Sequence, residues 1–325
     1  MSERILSETI LYIVVPCYNE EEIIESSSAR LKEKLSRMVD EEKVSKDSKI
    51  IFVNDGSRDR TESMLIDICN SDSVFGLINF SKNCGHQYAI LAGMTRSRQN
   101  ADAVITIDAD LQQDIEAMDL FLDKYAEGCD VVYGVRNDRK TDGFFKKTTA
   151  TGYYRFMKLM GCDILTNSAD YRLMSKNALN ALSEYEESNM FLRGLIPTMG
   201  FKSGIVNFDV KDREAGQSKY TFRKMMTLAM DGITSLSIRP IRIISAMGFI
   251  MVLVSLVMII FSFIEWVMGK NIVGYSTTVI SIWIVGGLVL LAQGVVGEYI
   301  GRTYLETKKR PRYIIESEIW PEKKD

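Results

Sequence analysis

Over the first 135 residues, short apolar runs rich in β-branched side chains alternate with stretches whose apolar positions recur at helical spacing. The runs TILYIVV (9–15), SKIIFVND (48–55), VFGLINF (74–80), ADAVITIDAD (101–110) and DVVYGV (130–135) predict five strands. Between them, EEEIIESSSARLKEKLSRMV, TESMLIDIC, HQYAILAGMTRSR and DIEAMDLFLDKYAEG predict helices. Asn19 with Glu22 has capping-box spacing, and Asp59 with Glu62 is placed to cap the second helix. This alternation predicts an α/β domain with a doubly wound, mostly parallel sheet covered on both faces. Ligands of such sheets bind beyond the carboxyl ends of the strands. The polar clusters PCYNEEE, NDGSRDRT, NCGHQ and DADLQQD all fall there.

The pattern changes near residue 240. No charge occurs between Arg242 and Glu265, and none from Tyr275 to Val296. Each stretch is about one bilayer-crossing length of helix, so two transmembrane helices are expected, at about 241–267 and 275–298. Arg239 and Arg242 precede the first, and Arg302, Lys308, Lys309, Arg310 and Arg312 follow the second, whereas the connecting loop offers only Lys270. By the positive-inside rule both termini are cytoplasmic and the protein is a multi-pass protein of the cell membrane. TFRKMMTLAMDGITSLSIRP, ahead of the spans, reads as an interfacial amphipathic helix. The expected division is a cytosolic domain (1–220), the amphipathic helix (221–239), the membrane hairpin (240–301) and a basic cytosolic tail (302–325). The membrane region allows a homo-oligomer, and Gln293 within it reads as a bond between helices.

Composition narrows the chemistry. A net charge of −3 gives no general attraction to nucleic acid. The five cysteines (17, 69, 84, 129, 162) show no CxxC spacing, which argues against a disulfide framework and a zinc cluster. With one histidine, His86, a Ser-His-Asp triad is disfavoured, and His86 reads as a helix-start or core residue. Neither GxGxxG after the first strand nor GxxxxGK[ST] is present, so no glycine nest cradles a diphosphate. The fourth strand supplies another device: Asp108 and Asp110, two apart at a strand end, can point to one side, and Gln112 adds a neutral oxygen. Hard oxygen ligands suit Mg²⁺ or Mn²⁺, which bridge carboxylates to substrate phosphates. A solvated turn with Asp114 capping the next helix is the alternative.

VVPCYNEEE, VNDGSRDRT, DADLQQD and NSADYRLMSK together resemble glycosyltransferase family 2, the inverting GT-A fold. REAGQSKYTFRKM before two C-terminal spans is similar to the polyprenyl-phosphate branch, which includes bactoprenol glucosyltransferases and dolichol-phosphate mannose synthases. The resemblance implies a nucleotide-sugar donor, a UDP-hexose in two-span bacterial relatives and GDP-mannose in others, and a polyprenyl phosphate acceptor. It implies donor contacts from Pro16, Tyr18, Glu20, Asp55, Asp108, Arg136, Arg213 and Lys219. A metal would sit at Asp108, Asp110 and Gln112. Asp170 would be the catalytic carboxylate, with Ser218, Lys219 and Arg172 toward the acceptor phosphate. Asp170 can act as a base, order the acceptor site or stabilise charge on the sugar, because a phosphate monoester with a second pKa of about 6 is already nucleophilic. A processive polysaccharide synthase would carry QxxRW, and Trp266, Trp283 and Trp320 stand in no such motif. A non-catalytic sugar-nucleotide sensor is the remaining alternative.

Overall fold

The computed structural model describes residues 4–137, 160, 165, 167–187, 191–209, 237, 239–268 and 275–321. The chain divides into two units: residues 1–154, 163–221 and 311–325 form the first, and residues 155–162 and 222–310 the second. In the first unit the five expected strands are present as β1 (Leu11–Cys17), β2 (Lys49–Asn54), β3 (Phe75–Phe80), β4 (Ala103–Thr106) and β5 (Val131–Arg136). Three strands that the apolar pattern does not announce join them: β6 (Ser168–Ser175), β7 (Ser203–Phe208) and β8 (Ile315–Ile319). The eight-stranded sheet runs β7-β5-β6-β4-β1-β2-β3-β8. Pairings β1–β2, β1–β4, β2–β3 and β5–β7 are parallel, and β6 and β8 run antiparallel to their neighbours.

Strand periodicity sends alternate side chains into two cores. Leu11, Ile13 and Val15 enter one core with Leu31 and Leu35 of α1 (Ile24–Asp40), Leu65 of α2 (Thr61–Ser71) and Phe121 of α4 (Met118–Ala126). Tyr12 and Val14 enter the other, with Ala89 and Ala92 of α3 (His86–Ser97), Leu179 of α5 (Lys176–Ser183) and Leu195 of α6 (Leu192–Thr198). Helix α3 lies so close to the sheet that a Cβ on Gly93 would stand 2.3 Å from Val14 Cγ1 and 3.0 Å from Val53 Cγ2. Lys34 of α1 is 1% exposed, with its ammonium 3.0 Å from both Glu116 and Asp119. The buried charge thus keeps two carboxylate partners.

Local expectations fare unevenly. Asp59 accepts from the Thr61 amide two residues on (3.0 Å), but the residue flanking α2 is Arg60 and no side chain caps the helix. The Asn19–Glu22 capping box does not form: α1 begins later, at Ile24, without a side-chain cap. Asn19 instead adopts φ 54° and accepts from the Arg58 amide (2.8 Å), tying the first loop to the second. The basic tail expected after residue 302 is not a separate tail. Residues from Pro311 onward belong to the first unit. Tyr313 stacks on Phe80 with ring centroids 4.9 Å apart, and Asn79 donates to Ser317 (3.0 Å) as β8 covers the free edge of β3. An uncovered edge invites pairing with other chains.

The second unit contains α7 (Arg239–Val267) and α8 (Tyr275–Thr307). Helix α8 continues through Glu298 and Arg302, which pair at 3.2 Å, past the end of the expected span. Its apolar side chains face outward, Ile282 at 65% and Leu290 at 69% exposure. Among the described residues one stretch, Ile284–Thr307, is long and apolar enough to cross a membrane. The 269–274 loop and, apart from Ser237 and Arg239, the 221–239 segment lie outside the described residues.

Gly93→Ala should strain the α3–sheet contact by about 1–3 kcal/mol. A lowered thermal midpoint of the full chain in detergent, roughly 2–4 °C per kcal/mol, checks this; an unchanged midpoint contradicts it.

Candidate active site

The β-strand ends bring the candidate residues to one edge of the sheet. Pro16 is buried in β1, and Tyr18, 39% exposed, follows on the first loop. The Glu20 amide donates to Thr61 Oγ1 (2.9 Å), and the Asn19 amide to Ser57 Oγ (3.0 Å), so the loops after β1 and β2 form one body. Asp55, after β2, is 2% exposed. Its oxygens accept from the Cys84 amide (2.6 Å), the Gly85 amide (2.9 Å) and Asn83 Nδ2 (2.9 Å). Burial pushes its carboxyl above the ordinary value, an effect the two amides partly offset.

Strand β6 makes the decisive juxtaposition. Thr106 of β4 pairs with Arg172 of β6 in antiparallel register. Extending that register past Thr106 sets Asp170 opposite Asp108, and Thr106 Oγ1 donates to the Asp170 carbonyl (2.6 Å). Asp170 is 5% exposed. Its carboxylate accepts from Arg172 (2.7 Å), Arg193 Nε (3.1 Å), an Arg193 amino group (2.9 Å) and Gln87 Nε2 (3.1 Å). Burial alone would raise its pKa, but Arg193 and Arg172 more than offset this and hold it well below the usual carboxylate range. Such a carboxylate is a weak proton acceptor and a permanent negative charge.

His86 stands between the two acids, its Nε2 3.3 Å from Asp108 Oδ1 and 3.8 Å from Asp170 Oδ2. Burial pushes the imidazole down, while Asp108 and Asp170 override it and raise the pKa above its ordinary value. Asp108 also bonds Gln113 Nε2. Burial raises the Asp108 carboxyl, and His86 and Gln113 bring it below the ordinary value despite the charge of Asp170. His86 therefore begins α3 as expected but is also part of the site. Arg193 and Gln87, which the sequence reading omits, complete the surroundings of Asp170. No motif pointed to Arg193; HQ directly after the glycine that precedes α3 was the available signal for Gln87.

Arg172 is not where the resemblance put it. At 1% exposure it lies beneath Asp170 rather than at a surface that could meet an acceptor phosphate. Its Nε and second amino group are buried without a hydrogen-bond partner beside Tyr133, its neighbour in β5. Arg136 is exposed at the end of β5. Arg213, Ser218 and Lys219 lie outside the described residues.

The Asp108–Gln112 turn reverses through Leu111 at φ 45°, with Asp110 Oδ1 accepting from the Gln112 amide (3.2 Å). Asp114 caps the following short 3₁₀ turn. Asp110 is exposed, Asp108 Oδ1 faces His86 Nε2 at 3.3 Å, and Gln112 Nε2 is buried without a hydrogen-bond partner. Among the described residues no three His, Cys, Asp and Glu side chains gather as a metal cluster. Asp108 and Asp110 offer hard carboxylate oxygens but no closed cage, so a cation there would need its remaining ligands from substrate oxygens and water.

The model of glycosyl transferase family 2 matches residues 12–183, the span holding Asp55, Asp108, Asp110 and Asp170. The chain belongs to glycosyl transferase family 2. Relatives of this family match nearly end to end. "Uncharacterized glycosyltransferase YkoT" of Bacillus subtilis (strain 168) is 46% identical over 97% of this chain and 94% of its own. "Prophage bactoprenol glucosyl transferase homolog" of Escherichia coli (strain K12) is 37% identical over 93% and 97%. "Bactoprenol glucosyl transferase" of Shigella phage SfX is 37% identical over 94% and 98%. The resemblance to the polyprenyl-phosphate branch is thereby borne out, and the family's mixed, mostly parallel GT-A-like sheet is the fold described above.

A carboxylate whose pKa is depressed on folding stabilises the protein above its unfolded value, about pH 4, and that contribution is lost as pH falls toward the folded value. Arg193→Gln removes part of the depression. The variant should therefore melt below the unmodified protein at pH 7, and the gap should narrow as pH falls below about 4. A gap independent of pH would show that the Arg193–Asp170 pair does not contribute in this way.

Proposed function

We propose that this glycosyltransferase moves a hexose from a nucleotide sugar to polyprenyl phosphate, with inversion, at the cytosolic face of the cell membrane. The donor is a UDP-hexose such as UDP-glucose or UDP-GlcNAc, the acceptor undecaprenyl phosphate, and the product a lipid-linked sugar for cell-envelope glycans. The observation that carries this reading is Asp170, clamped by Arg172 and Arg193 and facing Asp108 across His86. A phosphate monoester is largely ionised at neutral pH, so the acceptor needs no strong base. Asp170 suits the other two tasks, ordering the acceptor side and facing positive charge that develops on the sugar.

Asp108, Asp110 and Gln112 would hold Mg²⁺ or Mn²⁺. Such an ion, when bound, supplies positive charge to the departing nucleoside diphosphate. Two carboxylates two positions apart on one turn, Asp110 exposed, support this placement. Pro16, Tyr18 and Glu20 are assigned to the nucleoside edge, and Arg136, Arg213, Ser218 and Lys219 to the phosphates, where two anionic substrates must meet. Arg193, 34% exposed on Asp170, adds a cation the motifs did not include. The names of the relatives support the bactoprenol-type acceptor and favour a glucosyl donor over GDP-mannose. The outward-facing apolar side chains of α8 support a membrane anchor. The two-span hairpin of 240–301, the 221–239 interfacial helix and both termini in the cytoplasm belong to the same proposal.

Membranes carrying the protein, given labelled UDP-glucose, UDP-GlcNAc, UDP-galactose or GDP-mannose with undecaprenyl phosphate, should yield an organic-extractable, acid-labile product. An insoluble polymer would favour a synthase, and binding without turnover a sensor. Asp110→Ala should lower transfer by about 100-fold or more while the chain stays folded in the membrane; full activity would remove the metal assignment. Protease added outside sealed cells should spare the N-terminal domain, and its digestion there would reverse the topology.

A further inference from the structure

DADLQQD carries two glutamines, and only the first stands among the candidate metal ligands. The second, Gln113, is 2% exposed and engages one residue with both ends of its amide. Its Nε2 donates to the Asp108 carboxylate, and its Oε1 accepts from the Asp108 backbone amide at 3.3 Å. A carboxylate only accepts and a backbone N–H only donates, so the pairing fixes which way the amide points. Inside the ring these bonds close, the chain reverses: the Leu111 amide donates to the Asp108 carbonyl (3.1 Å), and Leu111 takes φ 45°. Two further struts reach the backbone of the same turn. Ser27 of α1 donates to the Ala109 carbonyl (2.7 Å), and the Tyr171 hydroxyl of β6 to the Asp114 carbonyl (3.0 Å). The Asp108 side chain itself is met by Gln113 on Oδ2 and by the exposed His86, 3.3 Å away, on Oδ1.

We infer that Gln113 is a positioning residue, a buckle that closes the turn after β4 and holds the Asp108 carboxylate in the orientation the donor and its cation require. The terminal torsion of an aspartate is broad, so nothing intrinsic to Asp108 sets the plane of its carboxylate. Gln113 sets it from a buried position, out of reach of the substrate. A cation that takes most of its ligands from substrate and water leans on few protein oxygens, and the groups that orient those oxygens govern its affinity. The inference rests on the proposed transferase reading for what Asp108 meets, and on geometry alone for the closing of the turn.

The test uses the full chain in detergent, with three readouts. They are exchange of the Asp108 amide without ligand, Mn²⁺ affinity with UDP present, read from the paramagnetic resonance of free Mn²⁺, and hexose transfer over a Mn²⁺ series. Gln113→Met keeps the length of the side chain but cannot donate to the carboxylate and accepts only weakly. It should speed exchange at Asp108 about 10-fold and weaken Mn²⁺ binding about 10- to 100-fold. The Mn²⁺ concentration for half-maximal transfer should rise by a similar factor, more than the rate at saturating Mn²⁺ falls. Gln113→Asn is one methylene short, cannot span both bonds and should move each readout the same way by less. It also serves where Gln113→Met fails to fold. A merely structural role would lower the thermal midpoint and leave Mn²⁺ binding alone, so affinity within about threefold in both variants would overturn the inference. Unchanged exchange at Asp108 in both variants would do the same. An unmodified protein that binds no Mn²⁺ would overturn it together with the metal assignment. Mn²⁺ bound but no hexose transferred from any donor would sink the proposed function alone, and affinity and exchange would still decide the buckle.

Discussion

The site depends on holding two carboxylates opposite one another across β4 and β6. Directly opposed strand residues have Cβ atoms about 5 Å apart, where two unit charges repel by roughly 3 kcal/mol at an effective dielectric near 20. Asp108 and Asp170 tolerate this because donors and cations are built around them. His86 sits between the pair, and two guanidiniums clamp Asp170 from below and from the open side. The consequence is chemical as well as structural. A carboxylate stabilised so strongly as an anion gives up basicity, and it gains a fixed position and a fixed charge.

Strand direction makes the arrangement possible. The parallel strands β4, β1, β2 and β3 all deliver their carboxyl ends to one edge, carrying Asp108, Tyr18, Asp55 and the turn before His86. Only an antiparallel strand inserted among them brings residues near its own start to that edge. Strand β6 does this, entering at Ser168 with Asp170 two residues on. Its other flank pairs with β5, so the catalytic candidate stands on a central strand with neighbours on both sides. The loops are cross-tied as well: the first to the second through Asn19 and Ser57, the second to the third through Asp55. Rigidity of this kind suits a reaction in which an ionised acceptor needs alignment more than activation.

The family resemblance and the geometry reinforce one another unevenly. The full-length likeness to bactoprenol glucosyl transferases speaks to the kind of acceptor. The geometry speaks to how the parts work, and there it departs from expectation at Arg172, which lies beneath the carboxylate it was to accompany. It also brings in His86, Gln87 and Arg193. Two of these begin one helix, and the third comes from a short helix that no motif marked.

Five strands, their helices, two long apolar helices and the acidic cluster at the end of β4 were legible in the sequence, because burial on a sheet imposes a period of two and burial on a helix one near four. Strand β6 was not legible, since Asp170 and Arg172 interrupt its apolar pattern; they are tolerable inside only because they pair with each other, Asp170 also meeting the half-exposed Arg193. Strand β8 was hidden for the opposite reason: a half-exposed edge strand, IESEI, needs few apolar residues and reads as tail. The chemistry-bearing residue types were thus written in the chain. Which of them meet, and with what charge, was decided by strand order and register, because those pairings join positions far apart in sequence that no local periodicity encodes.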